Sequence, residues 1–134
     1  MTTVRKIAFA YAAILLVVAG LNYIPGLTDA EGRAFGIFAL DVYDDLLHLA
    51  SALWAGIAAF VSTRAARSFL LYFGILYLGD GLLGLATGSG YLDLGILNYG
   101  IQDLPFGFKI LANLPHITLG GIAVASALIF RKEA

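Results

Sequence analysis

The sequence predicts an all-α integral membrane protein, a four-helix bundle running up-down-up-down, and three observations predict it. Of the 134 residues, 60% are hydrophobic and only 13% are charged, whereas soluble domains carry ~25% charged residues. Four windows are long and apolar enough to cross a hydrocarbon core, which takes roughly 20 residues of helix. Basic residues gather at one end of those windows and acidic residues at the other. The length allows a single transmembrane domain, residues 1–134. A net charge of −1 leaves no electrostatic footprint for nucleic acid. The absence of cysteine excludes disulfides, iron–sulfur clusters and thiolate metal sites.

The expected spans run over about 7–25, 46–63, 68–87 and 110–130. The first carries no charge. The second holds His48, the third Asp80 and the fourth His116 as their titratable groups. Backbone groups in lipid must bond internally, and windows of this length without strict alternation are helices, not barrel strands. Arg5 and Lys6 before the first window and Ala19-Gly20 behind it also suit a secretory signal peptide; the segment is counted here as a span.

Arg5, Lys6, Arg64, Arg67, Arg131 and Lys132 fall at one end of the spans, and only Arg33 and Lys109 at the other. Short basic connections mark the cytoplasmic side, so both termini are expected there. Arg64 to Arg67 reads as a tight turn between spans two and three. The two outer connections are long, yet contain apolar runs such as Phe35-Gly36-Ile37-Phe38 and Leu94-Gly95-Ile96-Leu97. Such runs are expected to lie back on the membrane or cap the bundle, with Tyr23, Tyr43, Tyr91 and Tyr99 as an aromatic belt.

The two halves resemble each other. Displaced by 68 residues, Asp45 meets Asn113, His48 meets His116, Ala55 meets Ala123 and Arg64 meets Lys132. Displaced by 61, Tyr11 meets Tyr72 and Gly20-Leu21 meets Gly81-Leu82. Each half is then a helical hairpin whose returning helix opens with Asp/Asn-x-x-His, and two spans per half make parallel pseudo-repeats.

Both histidines fall one turn inside the outer end of parallel spans, hence at one depth. His48, Ser51/Ala52, Ala55 and Ala59 form one small-residue stripe, and His116, Gly120, Ala123 and Ala127 another. Small residues mark close helix contacts, so each imidazole is expected to face a neighbouring helix. Asp80 lies about 10 Å below the outer boundary at 1.5 Å per residue, close to the same layer. A carboxylate there costs at least ~2.5–3.5 kcal/mol on insertion scales, so Asp80 is expected to be paired or protonated, with His48 or His116 as the partner and Tyr77 and Asn22 as further hydrogen-bond candidates.

Three readings follow for the polar cluster of Asp45, His48, Asp80, Asn113 and His116. In the first it is structural: Asp45 and Asn113 cap spans two and four, and the imidazoles and Asp80 clasp the bundle. In the second, His48 and His116 hold a cofactor, either a divalent transition metal completed by Asp80 and Asp45 or, less favoured because the small-residue stripes leave little room for a macrocycle, haem b. In the third, Asp80 and the histidines relay protons or line a transport path in a small oligomer. Trp54, at mid-membrane, is expected to pack between helices or face lipid. No catalytic residue stands out, and Gly88-Ser89-Gly90 reads as an ordinary loop.

Gly20-Leu21-Asn22-Tyr23-Ile24-Pro25-Gly26, Gly36-Ile37-Phe38, Asp45-Leu46-Leu47-His48, Tyr72-Phe73-Gly74-Ile75-Leu76-Tyr77 and Asn113-Leu114-Pro115-His116 occur in this order. The order resembles the bacterial four-span membrane proteins grouped as domain of unknown function 4383, over about Tyr11 to Ala127. Asp45 departs from that family's usual Asn, and Ala112 from its usual acid. The resemblance implies a bacterial plasma-membrane protein without an established activity. The function expected is therefore a non-enzymatic structural or accessory membrane protein, with the lipid bilayer as its surroundings and a second copy or a membrane complex as a possible partner.

Overall fold

The computed structural model describes residues 1–39 and 41–134, with Asn22 and Ala39 described by their backbone alone. Four long helices dominate: α1 (Thr3–Gly20), α2 (Val42–Val61), α3 (Thr63–Thr87) and α5 (Phe106–Ile129), with the short α4 (Gly95–Tyr99) in the second long connection. All four long helices have the length and apolar composition to cross a membrane. Their outer faces expose large apolar side chains, among them Val17, Phe60, Ile75 and Leu128. This is a multi-pass helical membrane bundle.

The helices begin earlier than apolar windows indicate. Thr2 caps α1 by accepting from the Arg5 N–H, so the charged Arg5-Lys6 turn is already helical. Ser62 alone separates α2 from α3. It ends α2 in an extended conformation and caps α3 by accepting from the Ala65 N–H. The segment from Arg64 to Arg67, expected as the turn, is therefore the first turn of α3. Asp45 and Asn113 do not cap their helices. Asp41 caps α2 reciprocally with Asp44, each carboxylate accepting the other's backbone N–H, the geometry of a capping box. Pro105 precedes the first residue of α5, which leaves Pro115 inside the helix. Asn113 lies two turns in and donates from Nδ2 to the Lys109 carbonyl.

α1 packs along α2 and α3 along α5, and α3 also lies against α1 and α2. The α3–α5 crossing is built on glycine. A β-carbon on Gly120 would overlap the Leu78 backbone, and one on Gly74 would come within 2.8 Å of the Gly120 carbonyl. Between the helix pairs runs an aromatic column. Phe69 and Phe73 lie 4.9 Å apart, and Phe73 stacks on Tyr77 at 3.9 Å. Tyr11 packs edge-on against Phe73. Trp54 packs edge-on against Phe69 at 4.9 Å with its far side exposed.

The two apolar loop runs fold back over the same end of the bundle. The first closes a two-stranded hairpin, β1 (Arg33–Ala34) with β2 (Phe38–Ala39), in register Ala34 opposite Phe38. The second contributes α4.

Candidate functional site

The end of the bundle beneath these connections holds the polar residues. α3 carries Asp80 there, α5 His116 and α2 His48. Asp80 Oδ1 accepts the backbone N–H groups of Tyr91 at 2.8 Å and Leu92 at 2.9 Å. Its Oδ2 lies 2.5 Å from His116 Nδ1. With Asp80 ionised its oxygens only accept, which puts the shared proton on Nδ1 and leaves Nε2 as the imidazole nitrogen for any other partner. One side chain thus ties α3, the loop over Asp80 and α5 together. Three donors on one buried anion are also what makes its burial tolerable.

His48 is only 4% exposed. Its ring centre lies 6.0 Å from that of His116, the rings near perpendicular at 75°. It makes no hydrogen bond to Asp80, and among the described residues its Nδ1 is buried without a partner. Tyr77 sits between the histidines and the aromatic column, 4.8 Å from His116 by ring centres, and its hydroxyl shares a 2.9 Å hydrogen bond with Ser51.

Above this layer opens a cavity of about 760 Å³, lined by His48, Asp80 and His116, by Leu15, Val18 and Leu119 of the helices, and by Ile37, Phe38 and Tyr99 of the connections. Three further carboxylates line it: Asp41, Asp44 and Asp93.

The structure brings His48, Asp80 and His116 into one layer and places Asn113 on the cavity wall. Asp45 does not join them: its Oδ2 accepts from the Tyr23 hydroxyl at 2.7 Å, on the α1 side of α2. The carboxylate on the inward face is its neighbour Asp44, 7% exposed. Asp44 precedes His48 by one helical turn, so the i, i+4 spacing of the same stripe that places His48 also carries the signal for Asp44. The side chain of Asn22 lies outside the described residues. Sequence reasoning also missed the loop after α3. Gly90 passes so close over Asp80 that a β-carbon on it would overlap the carboxylate, and this approach lets the Tyr91 and Leu92 N–H groups reach it.

Among the described residues, no group of three or more His, Asp or Glu side chains is arranged to hold a metal ion. Asp80 acts on His116 and the loop backbone, so a metal at this level would have the two imidazoles as its protein ligands.

No curated protein and no solved structure matches the chain. The family model described as Domain of unknown function (DUF4383) matches residues 5–103. That stretch contains His48 and Asp80 and stops short of α5, so the Asn113-Leu114-Pro115-His116 segment lies beyond it. A match over most of the chain, together with four membrane-length helices, establishes that this protein belongs to the DUF4383 family.

Proposed function

We propose that this chain is a non-enzymatic accessory protein of a bacterial plasma membrane, in which Asp80 and His116 form a clasp that holds open a preformed pocket facing away from the cytoplasm. The observation that carries this reading is the full engagement of Asp80 by two backbone donors and one imidazole. An anion so satisfied holds elements in place. Orientation follows from charge: the end with the single-residue turn carries Arg5, Lys6, Arg64, Arg67, Arg131 and Lys132, which favours both termini in the cytoplasm. Cysteine labelling from outside intact cells tests it; modification of a cysteine added after Ala134, in cells whose Asn98→Cys variant is not modified, would reverse the topology.

The pairing of elements supports a duplicated hairpin. Val4, Ala8, Tyr11 and Leu15 are the buried positions of α1, and Ala66, Leu70, Phe73 and Tyr77 repeat their spacing in α3. Tyr11 therefore corresponds to Phe73; Tyr72, one residue earlier, is exposed. The Arg5 Nε donates to the Ala59 carbonyl at 2.7 Å, and Arg67 Nε to the Ala127 carbonyl at 2.8 Å.

A metal- or haem-binding role for His48 and His116 is the second reading. It is favoured by the Asp80–His116 contact, since a carboxylate commonly orients a metal-ligating imidazole through its other nitrogen. Metal analysis and a visible spectrum of the detergent-purified protein decide between the two. The clasp reading expects a colourless, metal-free protein whose Asp80→Asn variant unfolds at lower temperature. Stoichiometric metal or a Soret band, lost in a His48→Ala/His116→Ala variant, overturns it.

A further inference from the structure

The end of the bundle where both termini meet carries Arg5, Lys6, Arg64, Arg67, Arg131 and Lys132 against the single acid Glu133. The structure sorts these charges into those already engaged and those left over. α2 and α5 end here, and a helix C-terminus is the negative pole of its dipole. A guanidinium is turned onto each. Arg5 donates from Nε to the Ala59 carbonyl at 2.7 Å and from Nη2 to the Phe60 carbonyl at 2.8 Å. Arg67 donates from Nε to the Ala127 carbonyl at 2.8 Å. Glu133 is engaged in the same way at a positive pole, its carboxylate accepting the Thr3 and Val4 N–H groups that open α1.

Lys6, Arg64, Arg131 and Lys132 remain. All four are exposed. None forms an ion pair among the described residues, where the one such pair is Asp80 with His116. They are also gathered. The hydroxyls of Thr2 and Thr63 meet at 3.0 Å, which brings Arg64, the next residue, to the start of α1. The bonds of Glu133 bring its neighbour Lys132 to the same place, and Lys6 lies in that first turn. Alongside, the last turns of α2 and α5 expose Phe60, Val61, Leu128 and Ile129. These are the ends of membrane-length helices. Cations at such an end stand at headgroup level, and the apolar side chains beside them reach the upper acyl region.

We propose that this end of the bundle binds an anionic phospholipid, its phosphate held by Lys6, Arg64, Arg131 and Lys132 and its acyl chains against Phe60, Val61 and Ile129. Orientation in the membrane needs only a surplus of basic residues on one side. A lipid site needs them uncompensated and close together, and that is what the three terminal contacts add. The adjoining apolar surface commits the site to a lipid and not to a soluble anion. Each basic side chain near an anionic surface is worth about five-fold in affinity. The site lies at the opposite end of the bundle from Asp80 and His116 and is independent of the clasp.

The full chain in neutral detergent is examined by native mass spectrometry with dioleoyl-phosphatidylglycerol and dioleoyl-phosphatidylethanolamine at equal concentration. The glycerol lipid is expected to be retained roughly ten-fold or more in preference, and about 1 M salt, which shortens the Debye length to ~3 Å, is expected to remove most of that preference. Arg131→Gln/Lys132→Gln, which follows the last long helix, is expected to cut it at least five-fold, and adding Lys6→Gln/Arg64→Gln to abolish it. Arg33→Gln/Lys109→Gln, at the far end, is expected to leave it unchanged. If the fourfold variant fails to insert or fold, the double variant and the salt dependence still decide. Equal retention of the two lipids, a preference that survives the double variant, or one lost in the Arg33/Lys109 variant overturns the proposal. Binding of glycerophosphoglycerol, the same headgroup without acyl chains, as tightly as the lipid assigns a soluble anion and overturns it too.

Discussion

Gly90 crosses the Asp80 carboxylate at a distance no β-carbon would allow. The usual escape from such a clash, swinging the side chain aside, is closed because both Asp80 oxygens are already bonded to Tyr91, Leu92 and His116. Gly90→Ala is therefore expected to break at least one of these bonds and to destabilise the fold by about 1–3 kcal/mol, the penalty for stranding a buried polar group. A thermal unfolding curve in detergent checks it; an unchanged midpoint would show that the loop adapts at no cost.

The α3–α5 crossing makes a second demand. Gly120 lies against the Leu78 backbone and the Gly74 carbonyl, and backbone cannot retreat as a side-chain tip can. Gly120→Val is expected to push the helices apart and destabilise by about 1–3 kcal/mol or more, as overpacking does. Gly121, one residue on, has open space beside it. Gly121→Ala is expected to leave the melting temperature unchanged within error, and the pair of variants is the measurement.

Arg5 and Arg67 each turn a guanidinium onto a carbonyl in the last turns of a neighbouring helix, Ala59 of α2 and Ala127 of α5. Charge-assisted bonds of this kind contribute about 1.5–3 kcal/mol when shielded and less near water. Arg67→Gln is expected to lower stability and to loosen the end of α5 first, read as faster amide exchange over residues Ser126 to Phe130. Uniform change across all helices would argue against so local a role.

At the other terminus, Glu133 receives the Val4 and Thr3 N–H groups at the start of α1. The Val4 bond first, then those from Thr3 and the charge of Lys6, hold its carboxyl below the ordinary range. A depressed folded-state value means that the stabilisation is present above the unfolded value, ~4.3, and is lost as pH falls through the folded one. Docking of the C-terminus on α1 is thus expected at pH 7 and not at pH 2. Glu133→Gln removes that dependence. Amide exchange of Val4 at the two pH values tests both statements.

Membrane residence, the four long helices and the shared depth of His48, Asp80 and His116 were legible in the sequence, because apolar length and 3.6-residue spacing act locally along the chain; the short α4 was not. The helix starts were less so, since a window that counts apolar residues discards charged first turns such as Arg5-Lys6 and the Asp41–Asp44 cap. Tertiary structure alone decided which imidazole Asp80 would hold. That choice came from the glycine-lined approach of α3 to α5, which brings His116 within bonding distance and leaves His48 facing a cavity. It decided equally that Asp44 and not Asp45 would face inward, for one residue is 100° of rotation on a helix and only packing against α1 and α3 sets its direction.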